Sequence, residues 1–201
     1  MKKPEFGKRI KETMTTITPD AAGLRIYLKH IGDFAARNAH RPSLFSGPCD
    51  MVLRIGVDCE PQASLPPGIV RGEKRKCAMN SAHLAVDRPD LAYVEGYCLT
   101  DIGIPVEHAW CVDCRLRVVE PTYDKCGFAY RGIVLDRKWM LRRIISAGHY
   151  GVLTVHDGLD RGWQKLFEKG LPTTAFHAWH KRLEPRNGAA HRKKGDQANE
   201  D

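Results

Sequence analysis

The sequence predicts an α+β fold, helices packed on an antiparallel sheet, and three observations carry that prediction. β-type runs at 92–99, 106–112 and 116–119 are separated by short turns, the pattern of an antiparallel meander. Segments 18–38 and 77–86 instead combine helical spacing or propensity with good start and stop signals. A chain of 201 residues with 42% hydrophobic content holds one full core, and two independent domains would be cramped. The expected organisation is a flexible basic arm over 1–17, a single domain over 18–180 with its motif core at 73–135, and a disordered polar tail over 181–201.

In chain order, Thr18-Pro19-Asp20 starts the first helix, with Thr18 as cap and Pro19 in the first turn. Leu24, Tyr27, Leu28, Ile31, Phe34 and Ala35 continue it as an apolar stripe to about Asn38. Prolines break 41–67, and between them Met51–Val57 reads as a strand. Residues 61–76 form a loop leading into a short helix that begins at Cys77 and stops before Asp87-Arg88-Pro89. After the meander, 129–135 is another strand. Asp136 caps a helix through Ala147 that ends at Gly148, and a further helix runs from Asp160 to Glu168. Trp139, Met140, Ile144 and Ile145 are expected in the core. No internal repeat is present.

Net charge is +8 with a pI near 9.2, which raises the question of an acidic partner. The Lys and Arg residues are scattered through the chain, and no helix-turn-helix, zinc-finger or aromatic RNA-binding signature accompanies them, so solvated faces are expected and nucleic acid is not the favoured partner. No apolar run approaches a membrane span, and the first residues lack a secretory signal's apolar segment, so the expectation is a cytoplasmic protein with no membrane partner. In that setting seven cysteines read as reduced thiols. Cys111 and Cys114, with Cys126 as a third, have chelating spacing, but no second Cys/His pair follows, and no structural metal is expected.

The chemistry concentrates between Lys76 and Tyr123. Cys77 heads a helix, whose N-terminal N–H groups and dipole favour a thiolate and an oxyanion. His108 lies near the start of the second strand of the meander and Glu120 at the end of the third, side by side in an antiparallel arrangement. An imidazole in reach of a thiol takes its proton, and a carboxylate on the other ring nitrogen sets the tautomer. In order, Cys77, Gly96-Tyr97, His108-Ala109-Trp110 and Glu120-Pro121-Thr122 resemble the transglutaminase-like branch of the papain-like cysteine enzymes. That family has a Cys at a helix start, a Gly-Tyr strand, His-Ala-Trp and Asp-Pro-Thr. Glu120 stands where the family usually has Asp, which leaves Asp113 as the alternative orienter.

The resemblance implies a papain-like core, a nucleophile helix on an antiparallel sheet, and a thiol hydrolase or acyltransferase. Cys77 would attack an amide or related carbonyl of a peptide, protein or small molecule, His108 would move the proton, and a thioester would form. Peptide hydrolysis, glutamine deamidation and transfer to an amine share this chemistry. The Cys77 N–H, with Asn80 or Trp110 as a side-chain donor, is the candidate oxyanion hole, and Arg75, with Arg71 and Lys74, the candidate substrate contact. No cofactor is required. His149, His156, His177 and His180 offer other bases, but His177-Ala178-Trp179-His180 lacks the flanking motifs and reads as chance or a helical pair. A non-enzymatic basic module that contacts nucleic acid through its flanking Lys/Arg segments, or an inactive member of the same fold, is the competing class.

Overall fold

The computed structural model describes residues 17–39, 43–153 and 161–181. The arm expected over 1–17 and the tail expected over 181–201 lie outside the described residues except for Ile17 and Lys181, as do His156 and Asp160. The elements are α1 (Ala21–Arg37), α2 (Pro48–Ile55), β1 (Val57–Cys59), α3 (Cys77–Asp87), β2 (Ala92–Leu99), β3 (Pro105–Val112), β4 (Val118–Val119), β5 (Ala129–Leu135), α4 (Arg137–Ala147), α5 (Arg161–Lys169), a 3₁₀ turn (Thr173–Ala175) and α6 (Ala178–Lys181).

Asp20, two residues after the expected cap, starts α1: its Oδ1 accepts from Gly23 N–H at 2.8 Å, while Thr18 spends its hydroxyl on that same carboxylate. Leu24 and Leu28 are buried, as the apolar stripe requires. The strand expected at Met51–Val57 is a correction. Pro48 at the first helical position starts α2, which buries Cys49, Met51 and Val52, and only Val57–Cys59 is extended. A short apolar run fits either period, and the proline decides it. α4 follows expectation, with Asp136 accepting from Trp139 N–H and Gly148 closing the helix at φ 73°, where a side chain would be strained. Ile145, expected in the core, is 79% exposed.

The five strands form one antiparallel sheet in the order β1-β5-β2-β3-β4. β2, β3 and β4 are the expected meander, but the third strand shrinks to two residues. Leu116 takes a positive φ of 61°, and Asp113 gathers the turn by accepting from the N–H groups of Arg115 and Arg117. The sheet curls until its outer strands meet: Glu60 N–H donates to Leu116 O at 2.9 Å and Val118 N–H to Glu60 O at 2.8 Å.

Curling gives the molecule two cores, in line with strand alternation. One face carries Tyr93, Tyr97, Leu99, Ala109, Cys111 and Ile133 against the helices, and Leu24, Leu28, Met51, Ala82 and Met140 pack into it. The other encloses Cys59, Val94, Cys98, Trp110, Val112, Tyr130 and Val134. The glycine of the Gly-Tyr strand now has a reason: a Cβ on Gly96 would lie 2.2 Å from Arg131 O, and one on its partner Gly132 would lie 2.7 Å from the Trp110 ring. The indole needs Gly132 bare, and the close approach of the β5 backbone needs Gly96 bare. On the helix face, buried Glu95 accepts from Tyr93 and from the N–H groups of Val152 and Leu153, pinning that segment to the sheet.

Candidate active site

Cys77 opens α3, and Lys76 at the cap makes no side-chain hydrogen bond to the helix, so the first-turn N–H groups are not claimed by a cap. α3 packs against β3, and the Cys77 thiol is met there by the His108 side chain and the Ala109 N–H. Helix and strand thus meet at His108 and Ala109.

His108 is 4% exposed. Its Nε2 is 2.8 Å from Glu120 Oε2. Nδ1 is then the nitrogen left for the thiol: it is buried without a well-formed hydrogen bond, and Cys77 approaches closely enough to shift both groups. Burial alone would push the thiol up. The His108 hydrogen bond and charge, with the N–H groups of Ala109 and Ala78, more than offset it and hold Cys77 below the usual thiol value. For His108, burial favours the neutral ring, but Cys77 and Glu120 raise it to about 9. Burial also opposes ionisation of Glu120, and His108 and the N–H groups of Tyr123 and Thr122 still hold it below the ordinary carboxylate range. All three shifts favour the charged forms, a thiolate, an imidazolium and a carboxylate.

Five other thiols show the contrast. Burial lifts Cys49 to about 11 and Cys59 to about 12, and it raises Cys98, Cys111 and Cys126 as well. Cys77 is the one that moves down. Cys111 and Cys114 diverge, the first buried with Sγ 3.2 Å from Ser81 O and the second exposed. Among the described residues no three His, Cys, Asp or Glu side chains are grouped to hold a metal ion.

Comparison of the chain with protein-family models, curated proteins and solved structures found no match.

Glu120 is fully engaged. Oε1 accepts from Thr122 N–H at 3.0 Å and Tyr123 N–H at 3.1 Å, and Oε2 accepts from the Tyr130 hydroxyl at 3.0 Å in addition to facing His108. Asp113 is elsewhere, holding the β3–β4 turn and pairing with Arg117 at 2.6 Å.

Two of the candidate donors have other work. Asn80 donates to Glu73 O at 2.7 Å and Thr122 Oγ1 at 3.0 Å, so its amide protons brace loops and are not offered to an oxyanion. Trp110 lies in the enclosed core with its ring stacked beside His108, centroids 6.1 Å apart, and it turns its indole N–H toward Cys59 rather than toward the Cys77 thiol. Arg75 is exposed in a left-handed conformation, φ 66°. Arg71 donates to Tyr123 O at 2.7 Å and Asp124 O at 3.1 Å, and Lys74 pairs with Asp124 at 3.3 Å.

Together with the Gly72 N–H bond to Pro121 O at 2.8 Å, these contacts stitch the loop before Cys77 to the loop after Glu120. Sequence reasoning missed this, and it missed the role of Tyr123, whose ring stacks on His108 with centroids 4.3 Å apart and planes 12° apart. Tyr123 also lines a cavity of about 380 Å³ with Thr100, Asp101, Ile102, Asp124 and Lys125. Its position beside Glu120-Pro121-Thr122 was the only available signal. Of the other histidines, His180 is structural: it is buried, accepts from Val134 N–H at 3.2 Å, and burial lowers it to about 4.

Proposed function

We propose that this chain is a cysteine-dependent acyl-transfer enzyme of the transglutaminase-like, papain-like type, with Cys77 as nucleophile, His108 as acid and base, and Glu120 as orienter. The observation that carries the reading is the opposed displacement of Cys77 and His108 at one helix start, with the His108–Glu120 contact behind it. Cys77 Sγ attacks an amide or ester carbonyl and forms a C–S bond. The tetrahedral oxyanion is received by first-turn N–H groups of α3. The C–N or C–O bond breaks as His108 gives its proton to the leaving group. Water or an amine then attacks the thioester, His108 takes the incoming proton, and the C–S bond breaks to restore the thiolate. No step needs a cofactor. Hydrolysis requires the fewest further groups.

Reaction with p-nitrophenyl acetate tests this without the natural substrate. A nitrophenolate burst equal to one acyl group per chain, mapped to Cys77 and absent in Cys77→Ala, is the expected result. Acylation at another residue, or no burst, overturns the assignment.

A further inference from the structure

We infer that Tyr130 is a positioning residue for the reaction, acting through Glu120, an inference that rests on the Cys77–His108–Glu120 reading above. Tyr130 comes from β5, outside the stretch that carries Cys, His and Glu, and its hydroxyl is built into the site from three sides. It donates to Glu120 Oε2 at 3.0 Å, accepts from Gly127 N–H at 2.9 Å, and lies 3.4 Å from Cys126 Sγ. Tyr130 is 1% exposed and its ring meets Trp110 edge-on, with centroids 5.1 Å apart, so the hydroxyl has no freedom to turn away.

The reason for such a residue lies in the length of Glu120. A glutamate has one more torsion than an aspartate, and the N–H groups of Thr122 and Tyr123 fix only Oε1. Oε2, the oxygen that meets His108, is left to swing about that anchor. Tyr130 is its second fixed contact. Because the Gly127 N–H occupies the lone-pair side of the hydroxyl, the proton points at the carboxylate. The Tyr130 ring tilts beside His108, centroids 6.3 Å apart, a contact that phenylalanine would keep, and the hydroxyl reaches the imidazole only through the carboxylate. Its effect is to keep Oε2 where the imidazolium needs it.

The test follows iodoacetamide alkylation of Cys77 against pH on the full chain, with peptide mapping. In the wild type Cys77 is expected to alkylate well below the free-thiol midpoint of about 8.5. A wild-type midpoint at the free-thiol value sinks the proposed function, and Tyr130 with it. Given a depressed wild-type midpoint, Tyr130→Phe should retain the fold by circular dichroism and slow alkylation at pH 6.5 about tenfold, the loss expected when a charge-pairing group is released. In a Glu120→Gln background the same change should have no further effect, since a residue that acts through Glu120 has nothing left to act on. An unchanged or faster Tyr130→Phe, or losses that multiply in the double variant, overturns the role. If Tyr130→Phe does not fold, 3-fluorotyrosine placed at 130 keeps ring and hydroxyl. Its fluorine NMR signal should shift when Cys77 is alkylated and stop responding in a Glu120→Gln background, and a signal indifferent to alkylation, or one that still responds without the carboxylate, overturns the inference.

Discussion

A single thiol with lowered proton affinity beside an imidazole raised to about 9 leads to different pH profiles for two reactions. Alkylation needs only the thiolate, so its rate should rise at a pH below the free-thiol midpoint and stay high above pH 9. Turnover of an ester or amide needs the proton on His108 as well, and should fall as pH passes about 9. Turnover that stays level while alkylation stays level would remove His108 as the acid. Glu120→Gln is expected to lower turnover by orders of magnitude, because an amide disfavours the required tautomer, while Glu120→Asp keeps much of it. Asp113→Asn should cost little turnover, since Asp113 serves the β3–β4 turn. Comparison of kcat for the three variants checks this, and loss in Asp113→Asn alone would reassign the orienter. Spacing in the sequence was enough to single out Cys77, His108 and Glu120 as a group, and the fold brings them together. Spacing could not reveal Tyr123 or Tyr130, whose contributions are a ring stack and a hydroxyl contact made across the fold.

At the scale of elements, the best-read pieces are those whose local signals agree. β2 and β5 match their expected limits, and α3 and α4 start where expected, because β-branched and aromatic runs, a cap or a closing glycine point the same way. α2 was misread because its eight residues are too few to show a period. The loop stitching was invisible for another reason: Arg71 reaches carbonyls 52 and 53 positions away, and main-chain acceptors leave no mark in side-chain chemistry. Asn80→Ala would remove the buried link between Glu73 and Thr122. It is expected to cost about 1–3 kcal/mol of stability and to slow Cys77 alkylation, measured by melting and by mass mapping. Full-speed alkylation in a folded Asn80→Ala variant would show that the stitch does not set the thiol. On the sheet, Gly132→Ala puts a Cβ 2.7 Å from the Trp110 ring and 2.6 Å from Glu95 O. Overpacking of this kind destabilises by about 1–3 kcal/mol, and an unchanged melting temperature would mean that the indole does not lie there.

Across the whole molecule, one sheet with a separate core on each face was only half legible. Alternation along β2, β3 and β5 separates the two faces, but the curl that turns one face inward depends on Glu60 meeting Leu116 and Val118, for which no residue pattern exists. No helix among the described residues is long and apolar enough to cross a membrane. Chelation provides a prediction at this scale: with Cys111 turned into the core and Cys114 outward, treatment with a chelator should leave the melting temperature unchanged, and purified protein should carry less than one zinc per chain. Stoichiometric zinc with unfolding on its removal would show that the thiols had been misplaced. The meeting of the outer strands at Glu60 also bears on self-association. Unpaired strands are templates on which other chains add and cross-β aggregates begin. Here β1 and β4 satisfy one another through Glu60, and beyond β1 the free side of β5 is taken by His177 and His180. Closure therefore protects solubility as well as shape, and its loss should announce itself as turbidity on warming before much secondary structure has melted.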